Sequence, residues 1–158
     1  MNAPTGIILD LDGTVYRGGQ LIPGAGQAVA ELRRRGHPIV FVTNALKSPA
    51  WHVARLTRLD VPVHPGEVVT APLVLTHYLR RQMPDAALFV ISDPPLPEEL
   101  GTSFRLSEDP AEVDAVVVSC DQAFDFRKLN IGFQALRQGA RFLAINGICG
   151  TWHGVRWH

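Results

Sequence analysis

The chain has 158 residues, enough for one ordinary domain or for one domain and part of another. With 46% hydrophobic and 19% charged residues it can bury a sizeable core, which excludes wholesale disorder. Lys+Arg and Asp+Glu both total 15, and this balance lacks the overall electrostatic footprint of a nucleic-acid binder. No apolar run approaches membrane-spanning length, and no basic stretch or long apolar run precedes the first strand-like segment. The expectation is a soluble, cytoplasmic protein with no nucleic-acid and no membrane partner. Cys120 and Cys149 form no C-x-x-C pair, and free thiols are expected at both.

Gly6 to Leu11 is an apolar run that stops at acidic residues, as a fully buried strand of a parallel sheet would. Gly13 to Pro23 is rich in glycine and reads as a loop. Ala25, Ala28, Val29 and Leu32 recur at helical spacing, and Gly36 is a natural stop. Pro38 to Thr43 is a second buried strand. Ser48 caps a helix with Pro49 in its first turn and Ala50, Val53, Ala54 and Leu56 as its predicted inner face. Glu67 to Thr70 is a short third strand.

Further along, Pro72 to Gln82 reads as a helix, Ala87 to Ile91 as a strand, and the proline-rich Asp93 to Pro97 as a break. Ser103 to Leu106 and Ala115 to Ser119 read as two further strands. Phe126 to Gln138 is a predicted helix with Phe126, Leu129, Phe133 and Leu136 inward, and Arg141 to Ile145 a last strand. Alternating strands and helices imply right-handed crossovers and a parallel α/β sheet.

The chemistry-bearing segment is Asp10-Leu11-Asp12-Gly13-Thr14, at the end of the first strand. Ligands of open α/β sheets bind outside the carboxyl ends of strands. Residues two apart on a strand share a face, so Asp10 and Asp12 can converge on one point. Paired carboxylates repel, which raises one pKa or demands a cation between them, and hard oxygen ligands suit Mg²⁺. One aspartate can then attack phosphorus while the other moves a proton. Gly13 lets the chain turn and expose backbone N–H groups to an anion. The plain alternative is a strand-end turn with two solvated acids. A calcium loop is a second, and it fails because position 14 is threonine and no glutamate follows at the required offset. The second strand ends in Thr43 and Asn44, whose hydroxyl and amide can bind a phosphoryl group, although helix capping is the commoner role of such a pair.

ILDLDGT followed by FVTNALKS resembles motifs I and II of the haloacid dehalogenase (HAD) superfamily. Tyr16-Arg17-Gly18 with Ile22-Pro23-Gly24, Thr43-Asn44-x-x-Lys47-Ser48, and Val116 to Asp121 with Phe126 to Asn130 resemble its subclass IIA, the nitrophenylphosphatase and phosphoglycolate-phosphatase-like enzymes. The likeness runs from about Gly6 to Asn146. It implies a Rossmann-like parallel sheet interrupted by an inserted α/β cap. Residues 1–70 would be the first part of the core, 71–146 part of the cap, and 147–158 an atypical tail.

It further implies a Mg²⁺-dependent phosphatase that acts on a small phosphorylated metabolite through an aspartyl-phosphate. Asp10 would be nucleophile and metal ligand. Asp12 would be general acid/base and would bind the metal through its backbone carbonyl. Thr43 would bind the phosphoryl group, with Gly13 and Asn44 shaping its cradle. Asp121 and Phe124 fall in the cap, where the subclass selects substrates, and the resemblance allows a homo-oligomer joined through that cap.

The sequence departs from the family in two ways. After Asn44 there is no motif III lysine and no Gly-Asp-x-x-x-x-Asp string, and Lys128 sits in a cap-like helix. Gly147 to His158 replaces the turn the family uses after such a strand, for which a frameshift or premature stop is the expected cause; a Cys149/His153/His158 metal cluster matches no standard zinc site. The expectation is therefore an incomplete chain with impaired turnover. The alternatives are a non-catalytic phosphate-binding or interaction module, or one part of a split enzyme.

Overall fold

The computed structural model describes residues 5–145. The chain divides into two compact units between Val74 and Leu75.

The first unit is built on three parallel strands: β1 (Ile7–Asp10), β4 (Ile39–Thr43) and β5 (Val68–Thr70), in the order β1-β4-β5. Helix α1 (Ala25–Arg34) joins β1 to β4, and α2 (Pro49–Arg58) joins β4 to β5. Successive right-handed crossovers that step in one direction place both helices on the same face of a sheet. Accordingly Leu11, Tyr16, Val29, Phe41, Leu56 and Val68 form one core, whereas Ile8 is 72% exposed and Val40 37%. The fully buried first strand expected from its apolar run is thus buried on one face only.

Two local features differ from the sequence reading. The expected loop after Gly13 contains a small antiparallel hairpin of β2 (Tyr16–Arg17) and β3 (Gln20–Leu21). In α2, Ser48 and Pro49 start the helix as expected, with the Ser48 hydroxyl accepting from the Trp51 N–H at 3.3 Å. The buried residues of that helix, however, are His52 and Leu56, while Ala50 and Ala54 are exposed. Alanine fits either side of a helix, so it carries little information about the inward face.

The second unit is a four-stranded parallel sheet in the order β7-β6-β8-β9, with β6 (Ala87–Ile91), β7 (Arg105–Leu106), β8 (Ala115–Val118) and β9 (Arg141–Ala144). Helix α3 (Ala71–Gln82) leads into it, and α4 (Leu96–Gly101) and α5 (Phe126–Arg137) make the crossovers. The expected proline-rich break holds α4: the chain bends at a cis Pro94–Pro95 bond and buries Leu96 and Leu100.

The inward face of α5 is the reverse of the one predicted. It buries Ile131, Gly132 and Ala135, while Phe126, Leu129, Phe133 and Leu136 are exposed. At Gly132 the helix lies close on the sheet: a Cβ built there would be in van der Waals contact, at 3.5 Å, with both Ile91 and Val116, and a larger side chain would have to displace them. Cys120, expected as a free thiol, is disulfide-bonded. Cys149 and the other residues of the Gly147–His158 tail lie outside the described residues.

Candidate functional site

Strands β1 and β4 are parallel and in register from Ile7↔Ile39 to Asp10↔Val42. Asp10 therefore ends β1 beside the end of β4, and Thr43, one residue beyond Val42, pairs in turn with Thr70 at the end of β5. Three polar residues finish three neighbouring strands at one carboxyl edge, the edge at which α/β sheets bind ligands. Asp10 and Asp12 are both exposed, and Thr43 and Thr70 are buried. Thr70 escaped the sequence reading because a single hydroxyl ending a three-residue strand carries no pattern.

The turn after β1 is tightly closed. Gly13 adopts φ +88°, a left-handed conformation that a residue with a Cβ enters at a cost of about 1–2 kcal/mol. Its N–H donates to the Tyr16 carbonyl at 2.7 Å, and the Val15 and Tyr16 N–H groups both donate to the Leu11 carbonyl, at 2.9 and 3.1 Å. The Gly13 N–H is thus used inside the turn. Gly13 therefore shapes the turn through its backbone conformation.

Thr43 is arranged differently. Its Oγ1 accepts from the Ala45 N–H at 3.1 Å, which leaves the hydroxyl proton able to donate to a phosphoryl oxygen. Asn44 follows it, exposed, ahead of Ser48 and α2.

Beneath the turn lies a buried polar group that the sequence did not signal. The Tyr16 hydroxyl is 3.2 Å from Nδ1 of His52. The Arg55 guanidinium stacks over the Tyr16 ring at 4.2 Å from its centroid and near the Trp51 ring at 5.1 Å. Burial, and then the Asp12 and Asp10 charges, push the Tyr16 phenol up to about 12 against an opposing effect of Arg55. Burial, with Arg55 adding to it, pulls His52 down to about 4. His52 is consequently neutral near pH 7, and Tyr16 keeps its proton.

Among the described residues, no group of three or more His, Cys, Asp or Glu side chains gathers to hold a metal. Asp10 and Asp12 offer hard oxygen atoms of the kind Mg²⁺ takes as ligands. In the second unit Lys128 is held by the buried Asp121 side chain at 2.6 Å. Asp121 also accepts from the Ala123 N–H at 2.9 Å, and Phe124 is exposed.

A family model for haloacid dehalogenase-like hydrolases matches residues 7–103, more than half of the chain and inclusive of both strand ends. The chain belongs to the haloacid dehalogenase superfamily. It is 33% identical over 140 residues to an acid sugar phosphatase of Staphylococcus epidermidis, covering 88% of this chain and 54% of that protein. It is 33% identical over 151 residues to the 5'-nucleotidase YutF of Bacillus subtilis, covering 93% and 57%. A crystal structure of a thermostable nitrophenylphosphatase double mutant from Geobacillus stearothermophilus superposes with a TM-score of 0.80 at 30% identity, covering 94% of this chain and 58% of that one. These relatives place the chain in subclass IIA and its sheets in a Rossmann-like α/β fold. The chain spans little more than half the length of the curated relatives it matches. Among the described residues, no helix is long and apolar enough to cross a membrane.

Proposed function

We propose that this chain carries the nucleophile half of a Mg²⁺-dependent phosphatase site for small phosphorylated metabolites, with residues 1–70 as core and 71–146 as cap. The observation that carries the reading is the register of Asp10 with Val42, which brings Asp10 and Thr43 to the carboxyl ends of neighbouring strands. An Asp10 oxygen attacks phosphorus as the ester P–O bond breaks, and the leaving oxygen takes the proton of the Asp12 carboxyl. Water then attacks the phosphorus of the acyl phosphate and gives its proton to Asp12. Inorganic phosphate departs and Asp10 is regenerated. Thr43 donates to the transferring group throughout. Bound Mg²⁺ would be held by the Asp10 carboxylate and the Asp12 carbonyl, and would offset the charge of the phosphoryl oxygens. The names of the relatives, which include an acid sugar phosphatase and the sugar-phosphatase AraL, favour a sugar phosphate as substrate.

Turnover by the 158-residue chain alone is expected to be low, because losing one preorganised charge-stabilising group costs about a hundredfold or more. The deciding experiment is to incubate the chain with Mg²⁺ and p-nitrophenyl phosphate, trap any acyl phosphate with borohydride, and map it by mass spectrometry. Label on Asp10 that vanishes in Asp10→Asn supports the reading, and absence of label sinks it. One observation favours a second reading, a phosphate-binding module without turnover: among the described residues no group of three or more His, Cys, Asp or Glu side chains gathers to hold a metal. Orthovanadate binding with no label on Asp10 would select that module.

A further inference from the structure

We propose that His52 is a positioning residue for the turn that carries Asp12. The proposal takes its functional meaning from the phosphatase reading, but its geometry stands without it.

Tyr16 joins the turn to helix α2. Its carbonyl accepts from Gly13, its N–H donates to Leu11, and it forms an isolated β-bridge with Asp12. Its side chain leaves the turn and is fully buried against α2, where His52 takes the hydroxyl and Arg55 covers the ring. Helix α2 is itself anchored just past Thr43 and Asn44 by the Ser48 cap. Through Tyr16, then, one helix holds both the turn bearing Asp12 and the end of the strand bearing Thr43. The relative placement of these groups decides whether the site is preorganised for a phosphoryl group.

Packing alone does not explain an imidazole here. His52 is 1% exposed, and its Nε2 is buried with no hydrogen-bond partner. A buried orphan nitrogen is unfavourable, and leucine would fill similar space without it. What the imidazole supplies and leucine cannot is a partner for the Tyr16 hydroxyl. Trp51, edge-on to His52 at 5.0 Å between centroids, and Arg55, stacked on Tyr16, fix the two rings that share this bond.

The test is amide hydrogen exchange on the full 158-residue chain and on His52→Leu, His52→Asn, Tyr16→Phe and the Tyr16→Phe/His52→Leu pair. The probes are the Gly13, Val15 and Tyr16 amides of the turn. The control is the Phe41 amide, bonded to the Glu67 carbonyl at 2.7 Å in the sheet. His52→Leu should speed exchange in the turn about tenfold or more while leaving Phe41 unchanged. His52→Asn, which keeps a hydrogen-bonding atom near the place of Nδ1, should restore most of the protection. Tyr16→Phe should reproduce His52→Leu, and the pair should add nothing further. Orthovanadate affinity should fall by a similar factor in the two single variants that lose the bond. The proposal is overturned if turn and sheet amides accelerate together, or if turn protection survives both His52→Leu and Tyr16→Phe. Failure of the parent chain to bind orthovanadate would sink the phosphatase reading, while the exchange data would still decide the role of His52.

Discussion

Arg33 on α1 grips Glu67, thirty-four residues further along the chain, with a two-pronged guanidinium–carboxylate pair. The same guanidinium donates to the Pro62 carbonyl at 3.0 and 3.1 Å, and Glu67 also accepts from the His64 N–H at 2.7 Å. The pair pins the segment entering β5, the strand that ends in Thr70. Because both side chains are mostly buried and the geometry is bidentate, it should contribute more than an ordinary surface ion pair.

Arg33→Met should therefore lower stability by about 1–2 kcal/mol at pH 7, and the Arg33→Met/Glu67→Gln pair should cost little more than either change alone. Arg33 holds the Glu67 carboxyl below its usual range. Its contribution is therefore present above the ordinary glutamate value and is lost as pH falls through the lowered one. Urea titrations at pH 7 and at pH 3 check this. Equal stability of parent and Arg33→Met at pH 7 would remove the argument.

His52 governs a different pH window. Its folded pKa of about 4 lies below the ordinary value of 6.5, so between these limits the unfolded chain binds more protons. Stability should be complete above pH 6.5 and should fall as pH drops towards 4, by an amount on the order of 2–3 kcal/mol at most. In His52→Leu this segment of the profile should flatten, while the loss due to Glu67 at lower pH remains. Melting temperatures taken every half pH unit separate the two groups. A His52→Leu profile parallel to the parent's from pH 6.5 to 4 would contradict the assignment.

Thr43 offers the most direct check on the proposed phosphoryl site. Thr43→Ser keeps both the acceptor for Ala45 and the proton to donate, whereas Thr43→Val removes both at nearly constant volume. Orthovanadate affinity measured by calorimetry should survive in the serine variant and fall about tenfold or more in the valine variant. Equal affinity in the two would mean that the hydroxyl faces no anion.

Much of the first unit is legible in the sequence because its signals are local and redundant. Ile7 to Asp10 and Ile39 to Thr43 are apolar runs that end in polar residues, and Ser48-Pro49 announces a helix start. The strand ends that carry Asp10 and Thr43 could therefore be located without coordinates. What was not legible depends on tertiary contact. The β2–β3 hairpin has only two residues per strand, too few for a period to emerge. Helix α4 follows prolines that also mark breaks, and it exists because Leu96 and Leu100 find a core. His52 interrupts no pattern, and its partner Tyr16 is distant in sequence. The exposure of Ile8 and Val40 follows from topology, since β1-β4-β5 grows in one direction and both crossovers cover the same face.

Helix α5 gives the clearest case of two competing periodicities and the last prediction. Phe126, Leu129, Phe133 and Leu136 form the larger apolar stripe, yet the smaller Ile131, Gly132 and Ala135 are the residues that face the sheet. Phe126 is 80% exposed and Phe133 54%, a contiguous apolar surface of the kind that soluble proteins rarely leave uncovered. With both rings outward, Phe126→Gln/Phe133→Gln should reduce binding of a fluorescent apolar dye and raise solubility, with a stability change within about 0.5 kcal/mol, as for exposed sites. Gly132→Val should do the opposite: its side chain would enter the space now shared by Ile91 and Val116, at a cost of about 1–3 kcal/mol. Dye binding and thermal melts of the two variants decide it. A destabilised Phe126→Gln/Phe133→Gln protein beside an unaffected Gly132→Val protein would turn the helix over and restore the face first read from the larger stripe.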